Sequence, residues 1–264
     1  MSHPVTVFDH AIVRAPARSV TEGLRADDRG DPTFEGIRVE HDAYIAALAA
    51  AGVEVTSLPP LEAFPDSIFV EDPALVFTEG AILLRLGAPS RTGERAEIAP
   101  VLRELFEVVL DLPGPGFVDG GDVLVTPGAV LIGLSRRTDL AGAEALQQRL
   151  ALLGRQSEIV TTPRGVLHFK TDCSLLDEQT VLTTPRLSAS GVFHGRFREI
   201  LTPEGEEAAA NALRINDVVL ASAEHPRTID LLTGAGYSVT PLHTAEIGRI
   251  DAGMSCMSLR WRAR

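Results

Sequence analysis

The chain has 264 residues, 45% of them hydrophobic and enough for a sizeable core, with a formal net charge of −12 at pH 7. That charge repels phosphate backbones and argues against nucleic acid as a partner, whereas it suits a cationic small molecule. The opening MSHPVTVFDHAIVRAP has no basic stretch leading into an apolar one, no run approaches the roughly 18 apolar residues of a membrane span, and the two cysteines, Cys173 and Cys256, are too few for a disulfide scaffold, so reduced thiols in the cytoplasm and no membrane contact are expected.

From the amino end, the first helix-like stretch is EHDAYIAALAAAG (40–52). VEDPALVF (70–77) then reads as a buried strand, AILLRLG (81–87) as its hairpin partner, and ERAEIAPVLRELF (94–106) as a helix. The order recurs in DGGDVLVTPG with AVLIGLS (119–135), followed by a helix over LAGAEALQQRLALLG (140–154). KTDCSLLDEQ with TVLTTP (170–185) makes another pair, and RINDVVLAS (214–222) precedes a helix over EHPRTIDLLTGAG (224–236). GMSCMSLRW (253–261) is the last strand. Gly endings suit helix C-caps, and Pro226 suits a first turn.

Aligned on Asp72, Asp122, Asp172, Asp217 and Cys256, these strands recur at spacings of 50, 50, 45 and 39 residues. Periods of this size mark repeated supersecondary units. The unit is strand, strand, helix, strand. Stacking such units around an axis buries faces that none could bury alone and removes exposed edges. We read one domain over residues 1–264, an α/β fold of pseudo-fivefold blades around a central channel. An ordinary doubly wound sheet is the competing arrangement. In the closed ring, the polar residues heading the strands face one small space.

Several of those residues suit catalysis. Cys256 in GMSCMSL is a candidate nucleophile, although a packed strand cysteine reads the same way. Cys173, directly after a repeat Asp, reads as a packed strand residue. His168 in VLHFKTDC is the candidate acid/base, and Asp119 heading DGGDVL is placed to orient it. Gly120 and Gly121 allow close backbone approach there. PDSIFVED gathers Asp66, Phe69, Glu71 and Asp72, carboxylates that suit a planar cation and an aromatic ring that could cover its face. Arg91 and Arg137 each follow a hairpin and could grip a carboxylate. A free thiol has a pKa of about 8.5, and a bound guanidinium would itself help to ionise it. No cofactor is implied: the seven His are scattered, no paired-Cys or His-Glu-x-x-His metal motif occurs, and GPGFVDGGD lacks the Lys of a phosphate loop.

The stretches FPDSIFVEDPALVF, LRLGAPSRTGE, FVDGGDVLVTPGAVLIGLSRRTDLAGAE, GVLHFKTDCSLL, LRINDVVLAS and IDAGMSCMSL are similar, in order and spacing, to the dimethylarginine dimethylaminohydrolase family of the guanidine-modifying penteins. The resemblance spans residues 8–260. It implies a pentein five-bladed α/β propeller and hydrolysis of N-omega-methylated arginines to citrulline and an amine through a covalent thiouronium on Cys256. It implies Cys256 as nucleophile, His168 as acid/base and Asp119 as its orienting carboxylate. Asp66, Phe69, Glu71 and Asp72 then hold the guanidinium and α-amino group, and Arg91 and Arg137 the substrate carboxylate. Leu24 in EGLRADD matches a lid residue, and Ile250 and Asp251 line the site. Asp119 stands where some relatives carry Glu, and Met257 where others carry a second Cys. The partner expected is a small cationic amino acid. The assembly state is left open, a homodimer being one option. An arginine deiminase or amidinotransferase on the same scaffold is the alternative. A non-catalytic binding protein such as a ribosome anti-association factor would not need Cys256, His168 and Asp119 together.

Overall fold

The computed structural model describes residues 5–26 and 29–263. Strand β1 (His10–Arg14) leads through helix α1 (Phe34–Ala50) to β2 (Glu54–Leu58). Next come β3 (Ala74–Phe77), β4 (Gly80–Leu83), α2 (Glu94–Leu105) and β5 (Val109–Asp111). The third group is β6 (Val123–Val125), β7 (Val130–Leu134), α3 (Leu140–Leu152) and β8 (Ser157–Thr161). The fourth is β9 (Cys173–Asp177), β10 (Thr180–Thr183), α4 (Pro185–Ser188) and β11 (Arg198–Leu201). The fifth is β12 (Leu213–Ile215), β13 (Val218–Ser222), α5 (Pro226–Gly234) and β14 (Ser238–Leu242), and β15 (Leu259–Trp261) ends the chain. The strands form five three-stranded sheets. In each, the first strand runs antiparallel to the second and the second parallel to the third.

The strand, strand, helix, strand unit is therefore present five times, with one feature the local pattern did not carry. The first blade is made from both ends of the chain: β15 pairs with β1 through His10↔Trp261 and Ile12↔Leu259. This pairing closes the ring, and the first strands pack against one another, β15 on β3 and β9 on β12. The fourth blade departs from the pattern, because α4 is a single turn where the others carry a full helix.

Side-chain chemistry starts three of the helices, with Thr184 capping α4 by accepting from the Leu187 N–H. Thr33 caps α1 by accepting from the Gly36 N–H, and Asp139 caps α3 by accepting from the Gly142 N–H. Trp261 is 7% exposed, stacks on His10 and packs against Phe106.

The Asp217 alignment needs correction. Asp217 lies with Asn216 in the two-residue turn joining β12 to β13, where Asn216 has φ 50°. That left-handed conformation tolerates Asn and suits a tight hairpin. The polar residue entering β12 is Asn211. Each first strand is preceded by a 3-10 turn: Pro65–Ile68, Gly120–Asp122, Phe169–Thr171, Glu207–Ala210 and Ile247–Ile250. Asp66, Phe69, Glu71, Asp72, Asp119, His168, Ile250, Asp251 and Cys256 sit on or flank these turns, which explains why they converge.

Trp261→Ala should therefore destabilise the ring by about 3–5 kcal/mol, since it removes a large side chain from the closing strand. Leu152→Ala, at a residue 64% exposed, should stay within about 0.5 kcal/mol of the parent. Denaturant midpoints measure both, and equal small effects would contradict the closure argument.

Candidate active site

Asp119 and His168 each precede a 3-10 turn, and His168 Nε2 lies 3.2 Å from Asp119 Oδ2. The fully buried Asp119 is itself fixed: its Oδ1 accepts from the Gly87 N–H at 2.8 Å, and Arg137 Nη1 stands 3.8 Å from Oδ2. Neighbouring Asp122 plays a structural part, accepting from Ser135 Oγ, Thr138 Oγ1 and the Phe169 N–H. The two glycines are required by contact. A Cβ on Gly120 would lie 1.9 Å from the Glu71 carbonyl oxygen, and one on Gly121 would lie 2.9 Å from the His168 ring.

Asp72 is 5% exposed. Its Oδ1 accepts from the Gly121 N–H at 2.9 Å, and its Oδ2 accepts from Arg91 Nη1. Arg91 is 4% exposed and also donates to both Glu94 oxygens at 2.8 Å and to the Asp66 and Phe69 carbonyls at 3.2 Å. Its charge is thus spent on holding the acidic segment. Arg137, with its side chain 19% exposed, is the arginine with charge to offer.

Burial pushes the Asp66 carboxyl up from its ordinary range, more than Arg91 and the Leu24 N–H pull it down. Asp72 goes the other way: burial raises it, but Arg91, His168 and the Gly121 N–H together hold it low. Both Glu71 oxygens are engaged, Oε1 with Lys170 Nζ at 2.6 Å and Arg260 at 3.1 Å, Oε2 with Ser255 Oγ at 2.8 Å. Phe69 is 6% exposed, its ring largely committed to the core cluster with Val20, Ile250, Met254 and Met257. It therefore presents little ring face to a ligand.

Leu24 is exposed, and its N–H donates to Asp66 Oδ1 at 2.9 Å. Ile250 is buried against the same strip of chain, within 3.8 Å of the position a Gly23 Cβ would take. Asp251, at φ 57°, accepts from the Ala26 N–H. The segment around Leu24 is thus tied to Asp66 on one side and to Asp251 on the other. Asp27 and Asp28 of EGLRADD lie outside the described residues.

Cys256 is half-buried. Among the described residues its Sγ bonds to Asn211 Nδ2 at 3.5 Å, and no bond joins it to His168. Burial first, then Glu71 and Asp72, push the thiol up to about 11 despite the Gly253 backbone and Lys170. Cys173, the rival, is 1% exposed, donates to the Phe169 carbonyl, and has its thiol pushed up strongly by burial. Burial alone would push His168 down, but the Asp119 hydrogen bond and the charges of Asp122 and Asp72 bring it to about 9. The free site therefore rests as thiol and imidazolium. Asp72, Asp119 and His168 offer ligand atoms within 4.8 Å of one another, but Arg91, Gly121, Gly87 and the imidazolium already satisfy the carboxylates. Asn211 is the participant the sequence pattern missed, hidden because the neighbouring Asp217 took its place in the repeat alignment.

Five blades of one αβ plan, with a thiol, an imidazole–carboxylate pair and a buried acidic segment at their axis, define a pentein of the guanidine-modifying class. A family model described as Arginine deiminase matches residues 60–200. The chain is 37% identical to a dimethylarginine dimethylaminohydrolase of Pseudomonas aeruginosa, covering 97% of this chain and 100% of that one. It is 32% identical to the Streptomyces coelicolor enzyme of the same name, covering 96% of each. A solved structure of the Pseudomonas aeruginosa protein, a cysteine-to-serine mutant complexed with citrulline, superposes with TM-score 0.92 at 37% identity, covering 96% of this chain and 99% of that one. The chain belongs to the dimethylarginine dimethylaminohydrolase family.

The raised His168 pKa has a definite sign. Its protonated form contributes stability that is fully present below about 6.5, the ordinary value, and is lost as pH rises through about 9. Asp119→Asn should lower the imidazole titration midpoint by at least about one unit, because an opposite charge is removed. Imidazole proton shifts measured against pH report this, and an unmoved midpoint would show that Asp119 does not hold the charge.

Proposed function

We propose that the chain is a cysteine-dependent hydrolase of N-omega-methylated arginines, yielding citrulline and dimethylamine or methylamine. The observation that carries this reading is one buried carboxylate, Asp72, whose charge acts on both the Cys256 thiol and the His168 imidazole that Asp119 holds, in a chain of this family. The substrate guanidinium would lie against Asp66 and Asp72, with Glu71 contributing field more than contact, since its oxygens are engaged. Asp66, whose carboxyl burial pushes up, gains most from an arriving cation. That cation also offsets the carboxylates that hold the Cys256 proton, which then leaves to water. The thiolate attacks the guanidinium carbon. His168, already protonated, gives its proton to the departing amine, leaving a thiouronium on sulfur. Neutral His168 next takes a proton from water, which attacks the same carbon and releases citrulline with the thiolate restored.

Arg137 would meet the substrate carboxylate, with Arg91 lending the N–H that its internal bonds leave over. Leu24, Ile250 and Asp251 would close over the amino-acid end, and Phe69 would back the pocket from the core. A free thiol nucleophile fits a reducing, cytoplasmic setting. An arginine deiminase is the second reading, because the matching family model carries that description.

Cys256→Ser should bind substrate yet lose nearly all turnover, while Cys173→Ser should remain active. Arg137→Ala should raise KM for methylarginine by an amount worth on the order of 2–5 kcal/mol, the usual cost of unpairing a buried charge. It should spare kcat for small alkylamidines that carry no carboxylate. Specificity constants for dimethylarginine, monomethylarginine, arginine and a peptidyl arginine decide the class. Arginine ranking first would favour the deiminase, and full activity in Cys256→Ser would overturn the mechanism.

A further inference from the structure

The polar head of the fifth blade is bound to the nucleophile loop at three points. Asn211 Nδ2 donates to Cys256 Sγ at 3.5 Å, Asn211 Oδ1 accepts from the Ser255 N–H at 3.0 Å, and its carbonyl accepts from the Met254 N–H at 3.1 Å. The side-chain orientation is fixed by chemistry. A backbone N–H can only donate, so the atom facing Ser255 is the amide oxygen and the atom facing the sulfur is the NH2 group. The loop also has to pass very close, and a Cβ on Gly253 would sit 2.3 Å from Asn211 Cγ.

The other groups acting on this sulfur are Glu71 and Asp72, which oppose its ionisation, and Lys170 and the Gly253 backbone, which favour it. His168 makes no bond to it among the described residues. Asn211 is thus the side chain that touches the thiol with a donor. A donor bonds an anion more strongly than a neutral thiol, so this contact gains strength as the thiolate forms.

We propose that Asn211 is a positioning residue for the reaction: its Oδ1 sets the Ser255–Cys256 loop and its Nδ2 stabilises the thiolate of Cys256. This rests on Cys256 being the nucleophile. The contact is made by the free protein and requires no substrate to form. Its place on the turn entering β12 matches the places of Asp72, Asp122 and Asp172 in the other blades. One blade position therefore supplies carboxylates at three points of the ring and a neutral amide next to the sulfur, where a fourth carboxylate would oppose thiolate formation.

The test is alkylation of Cys256 by iodoacetamide, mapped by mass spectrometry and followed from neutral to alkaline pH in Asn211→Asp and Asn211→Ala. Alkylation does not require turnover, so it reads the thiolate even if the proposed substrate is wrong. The Asp variant keeps the acceptor for Ser255 but replaces the donor with a carboxylate. At neutral pH its rate should fall by about tenfold, the scale of one charge-assisted hydrogen bond, with the profile moved to higher pH and wild-type thermal stability. Ala, which loses the donor without adding a charge, should fall between the two. A loop clamp with no effect on the thiolate predicts the reverse order, with Asp near wild type and Ala slowest. A fall of less than threefold in Asn211→Asp overturns the proposal, and so does an Asp rate equal to or above that of Ala. If Ala fails to fold, the threefold criterion on Asp decides alone. Full turnover in Cys256→Ser would instead overturn the underlying nucleophile assignment.

Discussion

The buried carboxylate of Asp72 links the two reacting groups, which do not touch. It is fixed by Arg91 and the Gly121 N–H, and its charge raises both His168 and Cys256. An unpaired carboxylate at this depth would neutralise itself by taking up a proton. The Arg91 clamp keeps it charged, and Glu94 and two carbonyls hold the clamp in turn. Removing Arg91 would thus change the protonation of groups that Arg91 never contacts. Its depth and internal bonds leave it a single N–H to offer a substrate, and no free charge.

The same charge produces a resting state that suits the chemistry. A thiol pushed up to about 11 by burial, Glu71 and Asp72 stays protonated at neutral pH. The site is therefore quiet toward stray electrophiles until something offsets Glu71 and Asp72. A guanidinium does so, whereas a neutral amide does not. An imidazole at about 9 is already loaded with the proton that the departing amine needs. Neither value would be useful without the other, and both follow from carboxylates gathered on one axis.

That gathering was legible in the sequence where the repeat was plain. Asp66, Asp72, Asp119, His168 and Cys256 all fall where strand-entry segments recur, so a ring brings them together. The fifth blade was misread because Asn216 and Asp217 form a hairpin turn whose Asp resembles a strand head. Choosing between Asn211 and Asp217 requires knowing where β12 begins, and a three-residue strand leaves little periodicity to show it. The fate of Glu71 was hidden for another reason. Ion pairing depends on partners such as Lys170 and Arg260, far away in the chain. The pairing of β15 with β1 is likewise a contact between chain ends that no local pattern encodes.

This closing pair also bears on catalysis, because the nucleophile stands just before β15. Beneath it, Glu71 joins Lys170, Arg260 and Ser255, separating the thiol from an axial cavity of about 170 Å³. Beside it, the Glu71 N–H donates to the Cys256 carbonyl from the second blade, and Asn211 grips the loop from the neighbouring blade. The sulfur is thus located by residues from both sides of the ring joint. Opening the joint would not merely loosen a terminus. It would release the nucleophile from Glu71 and Asn211 together, and the groups that set its ionisation would lose their geometry at the same step. Stability of the closed ring and reactivity of the thiol are therefore coupled through a handful of named bonds.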